Sequence, residues 1–189
     1  MAQLPIGWET TSSEYLHKQD WLTVRRDSVK LPSGHVIEDY FVLEYPDWIN
    51  TIAITKDGNF VLVKQFRYGL GVTAFELCAG VVDGNELPLK AAQRELLEET
   101  GYGGGNWLEW MVIAPNPATS TNWVHCFLAT DVELIQLATP EPGEDLSAHL
   151  FSFEEVRKLM LNRGIIQALH LAPLWKYVAQ QGIDSSDSD

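Results

Sequence analysis

The chain has 189 residues, 46% of them hydrophobic, enough for one substantial core with any second unit small. A formal net charge of −13 and a pI near 4.7 give an average surface that repels nucleic-acid phosphates, which excludes long DNA or RNA as a partner. The start of the chain has no basic segment followed by an apolar one, and no apolar run nears membrane-spanning length; the expectation is a cytoplasmic protein with no membrane partner.

Met1 to Asp20 is mixed in character and resists assignment. From Trp21 to Lys30 residues alternate as in a strand, Leu31 to His35 is a turn built on Pro32 and Gly34, and Val36 to Glu44 reads as the returning strand. A hairpin of this kind is marginal unless it packs against another surface. Ile49 to Thr55 and Phe60 to Phe66 form a second hairpin through Lys56-Asp57-Gly58-Asn59, and a Gly-rich stretch then leads to a short strand over Ala74 to Cys78.

Pro88 to Thr100 is the clearest helix: Pro88 suits a first turn, good helix formers follow, and Gly101 supplies a left-handed stop. Strands are expected at Leu108 to Ala114 and Trp123 to Thr130, around the polar loop Pro115 to Asn122, and near Ala148 to Phe151. Ser152 and Glu155 have capping-box spacing for a helix to about Leu161, and a last helix, bent or interrupted at Pro173, should cover Ile166 to Gln181. Such interleaving implies an α/β fold with a mixed sheet covered by helices. The organisation expected is 1–46 as an N-terminal extension, 47–181 as the catalytic domain and 182–189 as a disordered tail. Cys78 and Cys126 lie among apolar neighbours outside any CxxC or Cys/His cluster, as reduced core thiols would.

The chemistry concentrates in the Pro88 to Thr100 helix. At about 100° per residue, Glu95 and Glu99 stand one above the other with Glu98 beside them, so three carboxylates share a face. Like charges at i and i+4 repel, and a bound hard cation reverses that sign, because Mg²⁺ prefers oxygen ligands. Arg94, four residues before Glu98, also offsets the repulsion. Gly80 and Gly84 allow a loop to approach closely, while Leu89, Ala92, Leu96 and Leu97 provide apolar anchoring. A solvated acidic helix paired with lysine or arginine is the competing reading of the same string.

The longer segment separates the two. Gly80, five residues, Glu86, seven residues, then Arg94-Glu95-Leu96-Leu97-Glu98-Glu99-Thr100-Gly101-Tyr102 matches every defining position of GX5EX7REUXEEXGU, with U apolar or aromatic. On that box the chain resembles the Nudix hydrolases. Trp48-Ile49-Asn50, Val63 to Gly69 and Phe75 to Gly80 look like the ADP-ribose and nucleoside diphosphate sugar pyrophosphatase branch, and the likeness runs roughly from Trp21 to Tyr177.

The resemblance implies an α/β/α sandwich and metal-dependent cleavage of a pyrophosphate bond, with Mg²⁺, or Mn²⁺ in its place, as cofactor. It implies Glu95, Glu98, Glu99 and the Ala79 carbonyl as metal ligands, Arg94 as the residue orienting a carboxylate, and Glu86 as a loop stabiliser. Water activated by metal would attack phosphorus, and metal and arginine would stabilise charge on the phosphoryl oxygens. Arg67 looks like a phosphate contact, Glu76 a metal-side or nucleoside-side group, and Trp48 a base-stacking aromatic; a strand-end cation and a core or interface aromatic are the plainer readings of Arg67 and Trp48. In the acidic loop of Glu141, Glu144 and Asp145, Glu144 best matches a glutamate that works as a base in related enzymes, although a mobile acidic loop reads almost the same.

Pro117, fifteen residues past Tyr102, sits near a proline associated with ADP-ribose pyrophosphatases. Those usually continue Pro-Gly-acidic, whereas here Pro117-Ala118-Thr119-Ser120-Thr121-Asn122 follows, and Cys78 stands where proline is common. The implied substrate is thus ADP-ribose or another nucleoside diphosphate sugar. A nucleotide-binding regulatory module without hydrolysis and a nucleoside triphosphate hydrolase are the alternatives. The N-terminal hairpin of this branch often packs across a homodimer.

Overall fold

A computed structural model describes residues 7–19, 22–140 and 143–186. The chain forms two compact units, Met1–Pro46 with Ala114–Asn122, and Asp47–Ile113 with Trp123–Asp189.

The first unit is a three-stranded antiparallel sheet in which β2 (Leu22–Lys30) lies between β1 (Glu9–Gln19) and β3 (Val36–Glu44). The expected hairpin is thus joined by a strand that the sequence reading left unassigned. Its eleven residues are all exposed, so no alternating burial pattern marks β1; its pairing with β2 defines it. Trp21, the expected start of β2, lies outside the described residues. A buried polar knot holds the sheet: Asp27 accepts from Arg25 Nε at 2.8 Å and from Ser13 Oγ at 2.7 Å. The loop 114–122 also belongs to this unit. Leu43 N donates to Thr119 O at 2.7 Å, Thr121 N donates to Leu43 O at 3.1 Å, and Tyr40 Oη donates to Ala118 O.

The second unit is a mixed α/β structure whose eight-stranded sheet contains β4 (Trp48–Thr55), β5 (Phe60–Arg67), β6 (Val72–Glu76), β7 (Cys78–Val81), β8 (Tyr102–Gly103), β9 (Asn106–Ile113), β10 (Val124–Leu134) and β11 (Leu146–Phe151). Only β4 and β10 run parallel, Trp48 to Val124 through Ile54 to Thr130; the remaining pairs are antiparallel. Alternation along β4 divides the core. Ile52 and Ile54 pack with Val156, Met160 and Leu174 from α2 (Phe153–Leu161) and α3 (Ala168–Ser186). Ala53 packs with Leu96, and Ile49 with Ala91 and Ala92, from α1 (Pro88–Thr100). Helices therefore cover both faces, as the α/β/α expectation required.

The single strand expected over Ala74 to Cys78 is two. β6 pairs with β5 and β7 with β4, so the chain changes partner at buried Leu77. α1 has the expected ends: Pro88 opens it, and Gly101, at φ 77°, closes it with its N–H on Leu97 O. A side chain at Gly101 would also meet Gln136 O at 2.2 Å. The apolar anchor of α1 differs slightly from expectation, since Ala91 is buried while Leu89 is 37% exposed. α2 has both halves of the Ser152–Glu155 capping box.

α3 runs through Pro173 instead of stopping there. Proline lacks the N–H that would bond the carbonyl four residues back, Leu169 O. Asn50 Nδ2 on β4 donates to that oxygen at 2.8 Å, replacing the missing helical donor. The helix also continues past the expected stop at Gln181 to Ser186; residues 187–189 of the expected tail lie outside the described residues. Among the described residues, no helix is long and apolar enough to cross a membrane.

Candidate active site

The helix α1 lies against β7, and the contact is unusually close because residue 80 is glycine. A Cβ there would stand 2.1 Å from both Cδ and Oε1 of Glu95. The carboxylate thus fills the space of the missing side chain. On the same strand, Ala79 N donates to Glu99 Oε2 at 3.2 Å.

These contacts hold two acidic groups away from water: Glu95 is 8% exposed and Glu99 3%. Burial raises the Glu95 pKa to about 7, with Arg94 pulling it down and Glu144 and Glu98 adding repulsion. Burial likewise raises Glu99 to about 8, eased by a hydrogen bond from the Cys78 thiol and opposed further by Glu95 and Glu144.

Glu144, half-buried in the loop before β11, completes the group: Glu95, Glu99 and Glu144 each offer an oxygen, and these atoms lie within 4.8 Å of one another. Oxygens sharing a small divalent cation at about 2.1 Å sit about 3–4 Å apart, so small side-chain adjustments bring the three to one ion. Three hard anionic oxygen donors this close together form a donor set that fits Mg²⁺ or Mn²⁺.

Glu98 is outside this group. Its Oε2 accepts from Arg94 Nη1 at 3.1 Å, and the same nitrogen donates to Glu95 Oε1 at 2.8 Å. The other edge of Arg94 reaches Glu86 Oε2 at 3.1 Å and Val81 O at 3.2 Å. One guanidinium therefore ties the loop after β7 to two carboxylates of α1, and these anions raise its pKa against the lowering effect of burial. The cation expected to orient a carboxylate hydrogen-bonds three, Glu86, Glu95 and Glu98, and stands 3.5 Å from a fourth, that of Asp83.

A second charged group adjoins the first. Arg67, at the end of β5, donates through Nε to Glu76 Oε1 at 2.9 Å and through Nη2 to Oε2 at 2.5 Å. The Glu76 side chain is 1% exposed and that of Arg67 43%, so the cation presents a solvent-facing side while its anion is enclosed. Glu99 and Glu144 lie near enough to raise the Arg67 pKa.

Burial alone would push the Glu76 pKa up, but hydrogen bonds from His170 and Arg67 overcome it and hold the group near 2. His170 went unnoticed in the sequence; no motif marks it, and α3 alone brings its Nε2 to 3.3 Å from Glu76 Oε2. Trp48, half-buried, begins β4 between Val81 of β7 and Val124 of β10. Asp145 is exposed, and Glu141 lies outside the described residues.

A carboxylate cluster fit for a divalent ion, beside a cation partly open to solvent, is an arrangement for anionic phosphorus chemistry. Residues 46–171 match the NUDIX domain, and residues 8–43 match the nucleoside diphosphate sugar hydrolase N-terminal domain. The chain belongs to the Nudix hydrolase family. It is an enzyme of the Nudix pyrophosphatase kind, related to the ADP-ribose and nucleoside diphosphate sugar branch.

It is 30% identical over 169 residues to an ADP-ribose pyrophosphatase of Mycobacterium tuberculosis, covering 87% of this chain and 80% of that one. To an ADP-ribose pyrophosphatase of Bacillus subtilis it is 28% identical over 162 residues, covering 85% and 86%. A crystal structure of an ADP compounds hydrolase superimposes with a TM-score of 0.81 over 96% of this chain and 99% of its own, at 19% identity, a likeness of fold.

Proposed function

We propose that this chain hydrolyses the pyrophosphate bond of ADP-ribose or a related nucleoside diphosphate sugar, releasing a nucleoside monophosphate and a sugar phosphate. The observation that carries the reading is the convergence of Glu95, Glu99 and Glu144 oxygens within 4.8 Å beside Arg67. Matches of the N-terminal segment to a nucleoside diphosphate sugar hydrolase domain and of the chain to two ADP-ribose pyrophosphatases support this substrate class.

Glu95, Glu99 and Glu144 would hold Mg²⁺, or Mn²⁺ in its place, with Glu98 and the Ala79 carbonyl as further ligands. Bound metal supplies charge neutralisation at the phosphates and lowers the pKa of water. Arg67 turns its exposed side to a phosphate oxygen, and Arg94 fixes the Glu95 and Glu98 rotamers. Glu144, the least enclosed of the three clustered acids, accepts the proton of the attacking water. Trp48 stacks on the base. Water adds to one phosphorus as the bridging P–O bond breaks, and the leaving phosphate carries away the electron pair.

Two further readings accompany this one. Trp8, Tyr15, Leu16, Leu22, Val36 and Phe41 expose apolar surface in the N-terminal unit, which supports a role for residues 1–46 in forming a homodimer. Two buried free thiols, Cys78 and Cys126, favour a reducing compartment such as the cytoplasm.

The test is product identification across ADP-ribose, GDP-mannose, UDP-glucose and a dinucleotide, with Mg²⁺ and then Mn²⁺. Release of a nucleoside monophosphate from at least one sugar substrate is expected. Folded protein inert on all four overturns the proposal and leaves a binding-only module as the better account.

A further inference from the structure

Glu76 and His170 sit far apart in sequence, yet hydrogen bonds near each residue tie the segments that carry them into the same sheet. Phe75 N, next to Glu76, donates to Gly164 O at 2.8 Å in the link between α2 and α3. At the start of α3, Asn50 Nδ2 donates to Leu169 O at 2.8 Å, the carbonyl left unpaired by Pro173 and adjacent to His170. His170 N and Leu171 N both donate to Gln167 O at 3.1 Å. The approach of His170 to Glu76 is therefore fixed by one main-chain bond on the Glu76 side and by the Asn50 side chain holding the α3 backbone on the other.

The side chains form a series. His170, 2% exposed, has Nε2 at 2.9 Å from Gln167 Oε1 and 3.3 Å from Glu76 Oε2. Its Nδ1 has no hydrogen-bond partner among the described residues. A ring with its proton on Nε2 meets this arrangement, since it donates toward both acceptors and leaves only a bare nitrogen unpaired. Glu76 then grips Arg67 by both oxygens. Two enclosed groups thus end on one guanidinium that is 43% exposed and near Glu99 and Glu144.

A two-pronged carboxylate grip fixes the plane of a guanidinium, but only if the carboxylate itself cannot rotate. Within the series, His170 is the contact on the Glu76 carboxylate other than Arg67 itself, and so the one that opposes its turning. From this geometry we infer that His170 is a positioning residue: through Glu76 it sets the direction in which Arg67 meets a phosphate of the substrate. The inference rests on the proposed role of Arg67 as a phosphate contact. It assigns to α3, which contributes nothing to the carboxylate cluster, a share in substrate docking.

The test compares His170→Leu, His170→Gln, Arg67→Ala and the Arg67→Ala/His170→Leu double variant. KM and kcat for ADP-ribose are measured with Mg²⁺, together with the Kd of ADP by calorimetry and thermal unfolding of each protein. His170→Leu should raise KM and the ADP Kd about tenfold while kcat falls less than about threefold, the scale of one hydrogen bond to a charged group. His170→Gln, which keeps a donor near the Nε2 position, should recover most of the loss. In the Arg67→Ala background the leucine change should add nothing, because its effect passes through the arginine.

A purely structural His170 would instead lower the unfolding temperature without splitting KM from kcat, or would add its full effect to Arg67→Ala; either result overturns the inference. Arg67→Ala with unchanged KM and ADP Kd overturns it by removing the phosphate contact. Absence of ADP-ribose turnover in the parental protein bears on the proposed substrate, while the ADP Kd series still decides the role of His170.

Discussion

Glu76 on β6 and Glu99 on α1 are almost equally enclosed, at 1% and 3% exposure, yet their acidities differ by several orders of magnitude. Glu76 is held near 2 and Glu99 near 8. Burial acts the same way on both. The difference lies in the partners: Glu76 has a guanidinium and an imidazole, whereas Glu99 has a thiol, one backbone N–H and two other carboxylates. A buried carboxylate with its counter-charge in place is finished structure, and one without it is an unfilled site for a cation.

The largest expected effect comes from removing charge on the unfilled side. Glu99→Gln keeps the shape and an acceptor for Ala79 N, but should lower kcat by about a hundredfold or more through loss of a metal ligand. The same substitution should raise the denaturation midpoint of the chelated protein at pH 8, because an uncompensated buried charge disappears. A lowered midpoint there would break the contrast.

Glu76→Gln should behave oppositely. It strips Arg67 of its counter-charge and weakens the link to His170, costing about 2 kcal/mol in urea unfolding with or without Mg²⁺. A cost below a few tenths would show that the enclosed pair contributes little.

Gly80→Ala probes the close approach that burial of Glu95 depends on. A methyl group 2.1 Å from the carboxylate must displace it. The Mg²⁺ concentration for half-maximal activity should rise about tenfold with the far-ultraviolet spectrum unchanged.

The smallest effect is the dependence of stability on pH. Folded-state pKa values of about 7 for Glu95 and 8 for Glu99 lie above the ordinary 4.5, so the stability linked to them is complete below about 4.5 and lost as pH rises through 7 and 8. Glu76, lowered to about 2, contributes above 4.5 and is lost only as pH falls toward 2. Between pH 5 and 8 the chelated protein should therefore become less stable while the Glu76 contribution stays constant. Saturating Mg²⁺ should reduce the decline, and Glu99→Gln should flatten it; a rise in stability across this window without metal would contradict the assigned shifts.

Local chemistry wrote much of this molecule. Pro88 and Gly101 bracket α1, Ser152 and Glu155 cap α2, alternation marks β2, and the Asp57-Gly58 turn marks the β4–β5 hairpin, because turns, caps and amphipathic periods are decided by neighbours in sequence. β1 escaped notice since an exposed strand has no burial period, and the change of partner at Leu77 was hidden because the apolar run continues across it. Pro173 suggested a break, but Asn50, more than a hundred residues away, supplies the bond that proline removes.

By itself the sequence determined the box: the spacing of Gly80, Glu86, Arg94, Glu95, Glu98 and Glu99 lies within one loop and one helix, where rise and rotation per residue are constant. Tertiary structure alone decided which acids meet. It brought Glu144 to Glu95 and Glu99, grouped the 114–122 loop with the N-terminal strands, and set His170 behind Glu76. Those pairings depend on how strands and helices pack, which no local period encodes. The pKa values follow from the same packing, because neighbours in space supply or withhold the counter-charge.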